Sequence, residues 1–504
     1  MVVWTFFVNN ILTKPQYMVG LIVLIGYLLL RKPWYDTVSG TIKAVVGYMI
    51  LSIGSGGMIN TLKPILYGLG GRFGLDAIII DPYNGQNAVQ AAADAGDKIV
   101  GGQAFGQVML LMAIAFIANL VLVRLNRVTK LRSVFTTGNV QIQQASTAFW
   151  LILFALPYLR THSTLTLIVM AVVLGLYWAV GSNLLVGYTQ ELTDGAGFSL
   201  AHQQMFGIAI STKLAEKMAA HDAKKAKAGK KKPSIWDRKL EDLELPGWMQ
   251  IFNDNMVCTA LIMTLFFAII LCVVGKEYLV SLQLLTETDS FFFYIISTAF
   301  SFAANLAILQ LGVRTMVAEL TVSFKGISDK LLPSAVPGVD CAVSFSFGSP
   351  NAVTIGFLFG ALGETIAMLL LVVFHSPTIV ICGFIPMFFD NATIAVYANS
   401  KGGTKAACLF PFISGFIQVF GSAFIATWTG LAKYGGYLGM WDWAVIWPAF
   451  TVVMKYLSWI GLALVVVFLI AIPQIQYHKD PEHYFMEVDD WDEYKKEKGI
   501  VIDY

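Results

Sequence analysis

The chain has 504 residues and a formal net charge of +2, with 57% hydrophobic and only 13% charged residues. A soluble domain carries roughly 25% charged residues, so this composition, with a mean hydropathy of +0.67, excludes an ordinary soluble enzyme. It points to an all-α polytopic membrane protein. The small net charge gives no ground for a nucleic-acid partner.

Apolar runs near the ~20 residues needed to cross a bilayer recur along the chain. The first, at 12–30, lacks the basic region, short apolar core and cleavage site of a secretory signal, so it is expected to be retained. Further spans are predicted at 40–68, 102–123, 141–159, 165–186, 254–275, 290–312, 352–375, 378–398, 406–428 and 444–472, eleven in all. Lys and Arg of short loops stay on the cytoplasmic side. Arg31 and Lys32, the group Arg124, Arg127, Lys130 and Arg132, then Arg314, Lys325 and Lys330, and finally Lys401 and Lys405 share one side. The Ala- and Lys-rich segment around Lys224–Lys232 joins them. An N-terminus outside and a C-terminus in the cytoplasm satisfy all of these. That segment reads as a solvated helix or flexible linker whose charge orients the chain, with contact to anionic lipid as a lesser role. The acidic tail with Glu487, Asp489, Asp490, Asp492 and Glu493 is expected to be exposed.

Two short echoes lie at one offset: GLD at 74–76 with GVD at 338–340, and NAV at 87–89 with NAV at 351–353, both 264 residues apart (340 − 76 and 351 − 87). Five spans precede the basic loop, so the second copy enters the membrane in the opposite sense, as two inverted repeats require. The expected organisation is 1–200 first repeat, 201–253 basic loop region, 254–430 second repeat, 431–473 terminal span and 474–504 tail.

Polar stretches interrupt the apolar pattern at Gly54–Gly57, Asp81–Asn87, Thr136–Gln144, Glu191–Gln204, Gly338–Pro350 and Phe389–Asn399. Hydrocarbon does not tolerate freed backbone groups unless protein or water satisfies them. Re-entrant half-helices lining a polar cavity are therefore expected there. Their Ser, Tyr, Asn, Gln, His and Asp side chains suit a polyhydroxylated small molecule. Asp340, flanked by Val339 and Cys341, is a functional candidate because an ionisable residue at membrane depth is costly. Glu364 reads equally as a proton site or as a partner for a neighbouring helix. His202 reads as a ligand or proton-exchanging group or as a structural hydrogen-bonder, and Gln143 and Gln144 as ligand contacts or interhelical glue. The five cysteines sit in or beside apolar runs with no CxxC pair. Phosphate-loop, metal-spacing and Arg-rich voltage-sensor motifs are absent, so no cofactor, metal or catalytic residue is expected.

ELTDGAGFSLAHQQMF (191–206), LPGWMQIFNDN (245–255), GVDCAVSFSF (338–347) and GFIPMFFDNATIAVYAN (383–399) resemble the ascorbate-type EIIC permease component of the bacterial phosphotransferase system, in the ascorbate-galactitol superfamily. The Gly54–Gly56 turn and the TG and QQ of 137–144 agree in order and spacing. The resemblance covers about 11–472. It implies a homodimeric elevator transporter of the bacterial cytoplasmic membrane, with a core domain moving against a scaffold. It implies that a sugar acid such as L-ascorbate is phosphorylated by a cytoplasmic EIIB cysteine, with EIIA, HPr and enzyme I upstream, so that this chain is not an enzyme on its own. Substrate contacts implied are Ser55, Tyr83, Gln143, His202, Gln203 and Asp340. Two cavity positions depart from the family pattern: Asn139 where a His is expected, and Pro82 where a Thr or Ser is expected. The competing readings are a proton- or ion-coupled carrier using Asp340 and Glu364, and a non-transporting membrane enzyme or scaffold.

Overall fold

The computed structural model describes residues 10–11, 14–73, 77–103, 105–229, 234–242, 255–383 and 385–500. The LPGWMQIFND stretch of 245–254 and Asp76 lie outside them. Most of the chain is helical, and six helices among the described residues are long and apolar enough to cross a membrane. They are Trp34–Gly54, Ser163–Thr193, Phe291–Ile308, Pro350–Val373, Pro386–Thr429 and Trp441–Lys479, with shorter apolar helices at Val19–Leu29, Leu110–Arg124 and Met263–Val274. The protein is a polytopic membrane protein.

Strict all-α architecture does not hold. Among the described residues, six short strands form two three-stranded parallel sheets. In the first, β1 (Ala77–Ile80) lies between β5 (Ile379–Cys382) and β6 (Gly436–Tyr437), with Ala77 opposite Ile379 and Ile79 opposite Gly436. In the second, β4 (Val336–Val339) lies between β2 (Ser133–Phe135) and β3 (Ser199–Leu200), with Ser133 opposite Val336 and Leu200 opposite Val339. Hydropathy conceals them because AIII and IVIC are as apolar as a helix, although their β-branched residues favour strands. The expected span 378–398 accordingly begins as β5 and turns helical only at Pro386. The helical run then breaks at Gly403, whose φ of +65° a side chain adopts only with strain. A Cβ there would also lie 2.6 Å from the Arg238 carbonyl oxygen.

One order of elements occurs twice. β1 leads through Asp81 into the helix Pro82–Asp94, then the helix Gly106–Arg124, then β2 and the helix Gly138–Ala155. β4 leads through Asp340 into a 3-10 turn, Cys341–Ser346, then the helix Pro350–Val373, then β5 and the helical run from Pro386. Each sheet pairs a strand of the first series with one of the second: β1 with β5, β2 with β4. In this order Asp81, not Asp76, holds the position of Asp340.

The helices Pro15–Leu29, Trp34–Phe73, Asn255–Val274 and Phe291–Lys330 pack largely on one another. The expected turn at Gly54–Gly56 is absent: the helix Trp34–Phe73 runs straight through. Its glycines instead permit close helix approach. A Cβ at Gly57 would meet Asn305 Oδ1 at 2.1 Å, and one at Gly47 the Met316 backbone nitrogen at 2.7 Å.

Asp489, Asp490 and Asp492 of the acidic tail are exposed, as expected, but the tail is docked rather than extended. Trp491 is buried, and its indole N–H donates to Asp194 Oδ1 at 2.9 Å. Glu487 pairs with Arg132 at 2.6 Å, and Asp489 accepts from Ser334 Oγ at 2.8 Å. Arg132, Ser334 and Asp194 stand just ahead of β2, β4 and β3, so the tail straps the side of that sheet where its strands begin. The aromatic content of the tail supplies the apolar contact that its charge conceals.

Candidate functional site

Parallel strands deliver their successors to one edge, and ligand sites gather beyond the carboxyl ends of such strands. β3 is followed by Ala201, His202 and Gln203, and β4 by Asp340. The Ala201 N–H donates to the Val339 carbonyl at 2.7 Å, which locks the two exits side by side. His202 Nε2 then stands 3.8 Å from Asp340 Oδ2, both side chains almost buried.

Each partner has one atom already engaged and one left over. Asp340 caps the 3-10 turn, its Oδ1 accepting from the Ala342 N–H at 3.0 Å. This is the usual preference of aspartate for a helix start, and it leaves Oδ2 toward His202. Gln204 Nε2 donates to the Phe389 carbonyl at 3.4 Å, which orients the amide. Its Oε1 lies 2.6 Å from His202 Nδ1, so in the neutral ring the proton sits on Nδ1 and the lone pair on Nε2. Gln144 holds the loop from behind, donating to the His202 carbonyl at 3.1 Å and accepting from Trp178 Nε1 at 2.5 Å.

β2 exits into Thr136, Thr137 and the helix Gly138–Ala155, which carries Gln141 and Gln143. Gln203 Nε2 donates to Gln143 Oε1 at 3.0 Å. Three buried oxygens beyond these strands, Thr137 Oγ1, Gln141 Oε1 and Gln203 Oε1, have no hydrogen-bond partner among the described residues. Buried polar atoms are nearly always satisfied, so these three oxygens leave acceptor positions open at this edge.

The predicted residues divide as follows. His202, Gln203, Gln143 and Asp340 come together. Tyr83 starts the helix after β1, half-exposed, with its backbone N–H on Asp81 Oδ1 at 2.9 Å. Pro82 is buried at the first helical position, where its fixed φ is pre-organised. Ser55 lies in the helix Trp34–Phe73 and Asn139 in the first turn of Gly138–Ala155; their side chains fall outside the described atoms. Glu364 belongs to another buried network. Asn391 Nδ2 donates to its Oε1 at 3.1 Å, and Gln418 links Asn391 to Asp390 through contacts of 3.4 and 2.5 Å.

Sequence reading missed Asp442. It accepts from the Phe206 and Gly207 N–H groups at 3.1 and 3.0 Å and from Tyr177 O–H at 2.6 Å. It thereby ties the segment after β6 to the helix after β3. The signal was present in WDW: a carboxylate between tryptophans must find donors when buried.

The family of sugar-specific permease components of the phosphotransferase system, EIIC-GAT, matches residues 10–449. The chain belongs to this family. The permease is also similar to the "Ascorbate-specific PTS system EIIC component" of Mycoplasma pneumoniae (strain ATCC 29342 / M129 / Subtype 1), with 32% identity over 450 residues. That match covers 82% of this chain and 65% of the relative, so the permease spans under two thirds of the relative's length.

Proposed function

We propose that this permease binds L-ascorbate or a related sugar acid and carries it across the bacterial cytoplasmic membrane as a partner EIIB phosphorylates it. The observation that carries the reading is the exit edge of β2, β4 and β3, with His202, Gln203 and Asp340 beside three unpartnered buried oxygens. The relative named for ascorbate narrows the substrate class.

The chemistry follows from the unused atoms. The unused amide, carboxylate and imidazole atoms are acceptors and suit the hydroxyl groups of the substrate; ascorbate is a monoanion at neutral pH, so backbone N–H groups at helix starts would hold its enolate. Asp340 repels that anion unless it faces the neutral hydroxyl end. There Oδ2 accepts a hydrogen bond from the hydroxyl to be phosphorylated. As the phosphoryl group leaves the EIIB cysteine, the sulfur–phosphorus bond breaks and an oxygen–phosphorus bond forms. The hydroxyl proton passes to Asp340 or His202. Ser55, Tyr83, Pro82 and Asn139 complete the cavity in this reading.

The eleven-span, N-out and C-in arrangement, the inverted repeats and elevator movement of a homodimer belong to the same proposal. Supporting it are the doubled element order, the reciprocal strand pairing, and the separate packing of the four helices Pro15–Leu29, Trp34–Phe73, Asn255–Val274 and Phe291–Lys330 as scaffold. The domain boundaries follow these repeats.

The test is uptake of labelled ascorbate by vesicles containing the permease, its EIIB and a phosphoenolpyruvate source. Phosphorylated label inside, insensitive to a protonophore, is expected. Unphosphorylated label whose accumulation a protonophore abolishes would favour the proton-coupled carrier and overturn group translocation.

A further inference from the structure

We propose that His202, Asp340 and Cys341 form a binding site for a borderline-soft divalent cation of the zinc type. His202 Nε2, an Asp340 carboxylate oxygen and Cys341 Sγ all lie within 4.8 Å of one another, and all three residues are buried. Zinc takes such nitrogen, oxygen and sulfur donors at about 2.0–2.3 Å. Tetrahedral ligand atoms at those bond lengths stand roughly 3.3–3.6 Å apart. The His202–Asp340 separation of 3.8 Å is too long for a hydrogen bond and close to that spacing. Small rotations of the Asp340 and Cys341 side chains supply the rest.

The surroundings prepare the donors. Gln204 Oε1 accepts a hydrogen bond from the Nδ1–H of His202 and leaves the Nε2 lone pair free, the arrangement by which outer groups orient a metal-bound imidazole. Ala342 N–H occupies one Asp340 oxygen and leaves the other directed at His202. A fourth position remains for water, as in zinc sites with three protein ligands. Binding converts the Cys341 thiol to a thiolate and releases one proton to solvent, with no change of oxidation state, so affinity rises with pH. The hard cation Mg2+, which prefers six oxygens, does not fit. Occupation uses the same lone pairs of His202 and Asp340 that the proposed substrate would meet, so zinc inhibits transport. Sequence spacing conceals the site because His202 and Cys341 belong to different halves of the chain and meet only through the pairing of β3 with β4.

The experiment uses the full-length protein in detergent, without substrate, so its outcome is independent of the transport reading. Equilibrium dialysis with ZnCl2 is expected to show one saturable equivalent, and thermal melting is expected to rise with ZnCl2 and not with MgCl2. Co2+ is expected to give a thiolate charge-transfer band. Cys341→Ser should abolish that band and weaken zinc binding at least tenfold, and His202→Gln should weaken binding similarly. Metal-free melting and gel filtration of both variants establish that they are folded. Absence of saturable zinc binding by the parent protein, or zinc binding equal in parent and both folded variants, overturns the proposal.

Discussion

The two sheets are built alike and end differently. In both, a central strand runs into an aspartate that accepts from the backbone N–H two residues on: Asp81 from Tyr83 at 2.9 Å and Asp340 from Ala342 at 3.0 Å. Such a cap is a local device that helix geometry demands wherever a chain turns from strand to helix in a non-aqueous setting. What differs is the neighbouring strand. Beside Asp340, β3 is followed by Ala201, His202 and Gln203. Beside Asp81, β6 is followed by Leu438 and Gly439, and a Cβ at Gly383 would meet Asp81 at 2.8 Å. One aspartate has polar side chains from the adjacent strand's exit beside it, and the other has apolar ones. A capped aspartate is therefore architecture first. Its chemistry is conferred by what the adjacent strand presents.

Substituting asparagine in each sheet breaks that comparison most sharply. Asn still accepts the capping hydrogen bond but carries no charge. Asp340→Asn is expected to lower phosphorylation-coupled uptake about 100-fold or more, the scale of a lost proton acceptor, while membrane insertion is retained. Asp81→Asn should stay within about twofold of the parent by the same kinetic measurement. Equal effects at the two positions would refute the asymmetry.

Asp442 bridges the two regions, and its removal acts on stability rather than on chemistry. Asp442→Ala leaves the Tyr177 hydroxyl and two N–H groups without an acceptor and should cost about 3 kcal/mol or more. Gel filtration and thermal melting would show it as loss of folded protein. An unchanged melt would mean the link between the sheets carries no strain.

A smaller effect is expected at the packed cap. Asp81→Ala should lower stability by about 1 kcal/mol, the usual value of a helix cap, and Asp81→Asn should restore most of it. A melt in which alanine and asparagine are equally harmful would show that charge, not capping, matters there.

The smallest effect concerns the strap over the β2–β4–β3 sheet. Asp480, and then Glu497, hold the imidazolium of His483 and raise its pKa above the usual 6.5. A raised folded-state pKa contributes stability below the unfolded value and loses it as pH climbs through the folded one. The tail should therefore become more accessible to protease as pH rises above about 6.5, and His483→Ala should flatten the profile. A tail released by acid instead would reverse the sign and discard this account.

Fold and site were unequally legible in the sequence. The apolar runs mark the described long helices well, because a bilayer admits few alternatives to them. β1 and β5 were missed because apolar β-branched residues give the same hydropathy in either conformation. The GSGG turn failed because glycines in membrane helices serve close approach as often as they break a helix. The two matching tripeptides set Asp76 against Asp340, whereas the order of elements sets Asp81 there; three-residue matches cannot fix a register that strand pairing can.

By itself, the sequence determined the membrane class, through hydrocarbon's intolerance of unpaired backbone, and the permease family, through long polar blocks such as AHQQMF and GVDCAVSFSF. It also supplied His202, Gln203, Gln143 and Asp340 as candidates. Only tertiary structure decided their relation. Parallel pairing of β3 with β4 sets His202 beside Asp340 and Cys341, and the tail's aromatic anchors draw its acids onto Arg132 and Ser334. Contacts between residues more than a hundred positions apart depend on register and burial, and no local pattern encodes either.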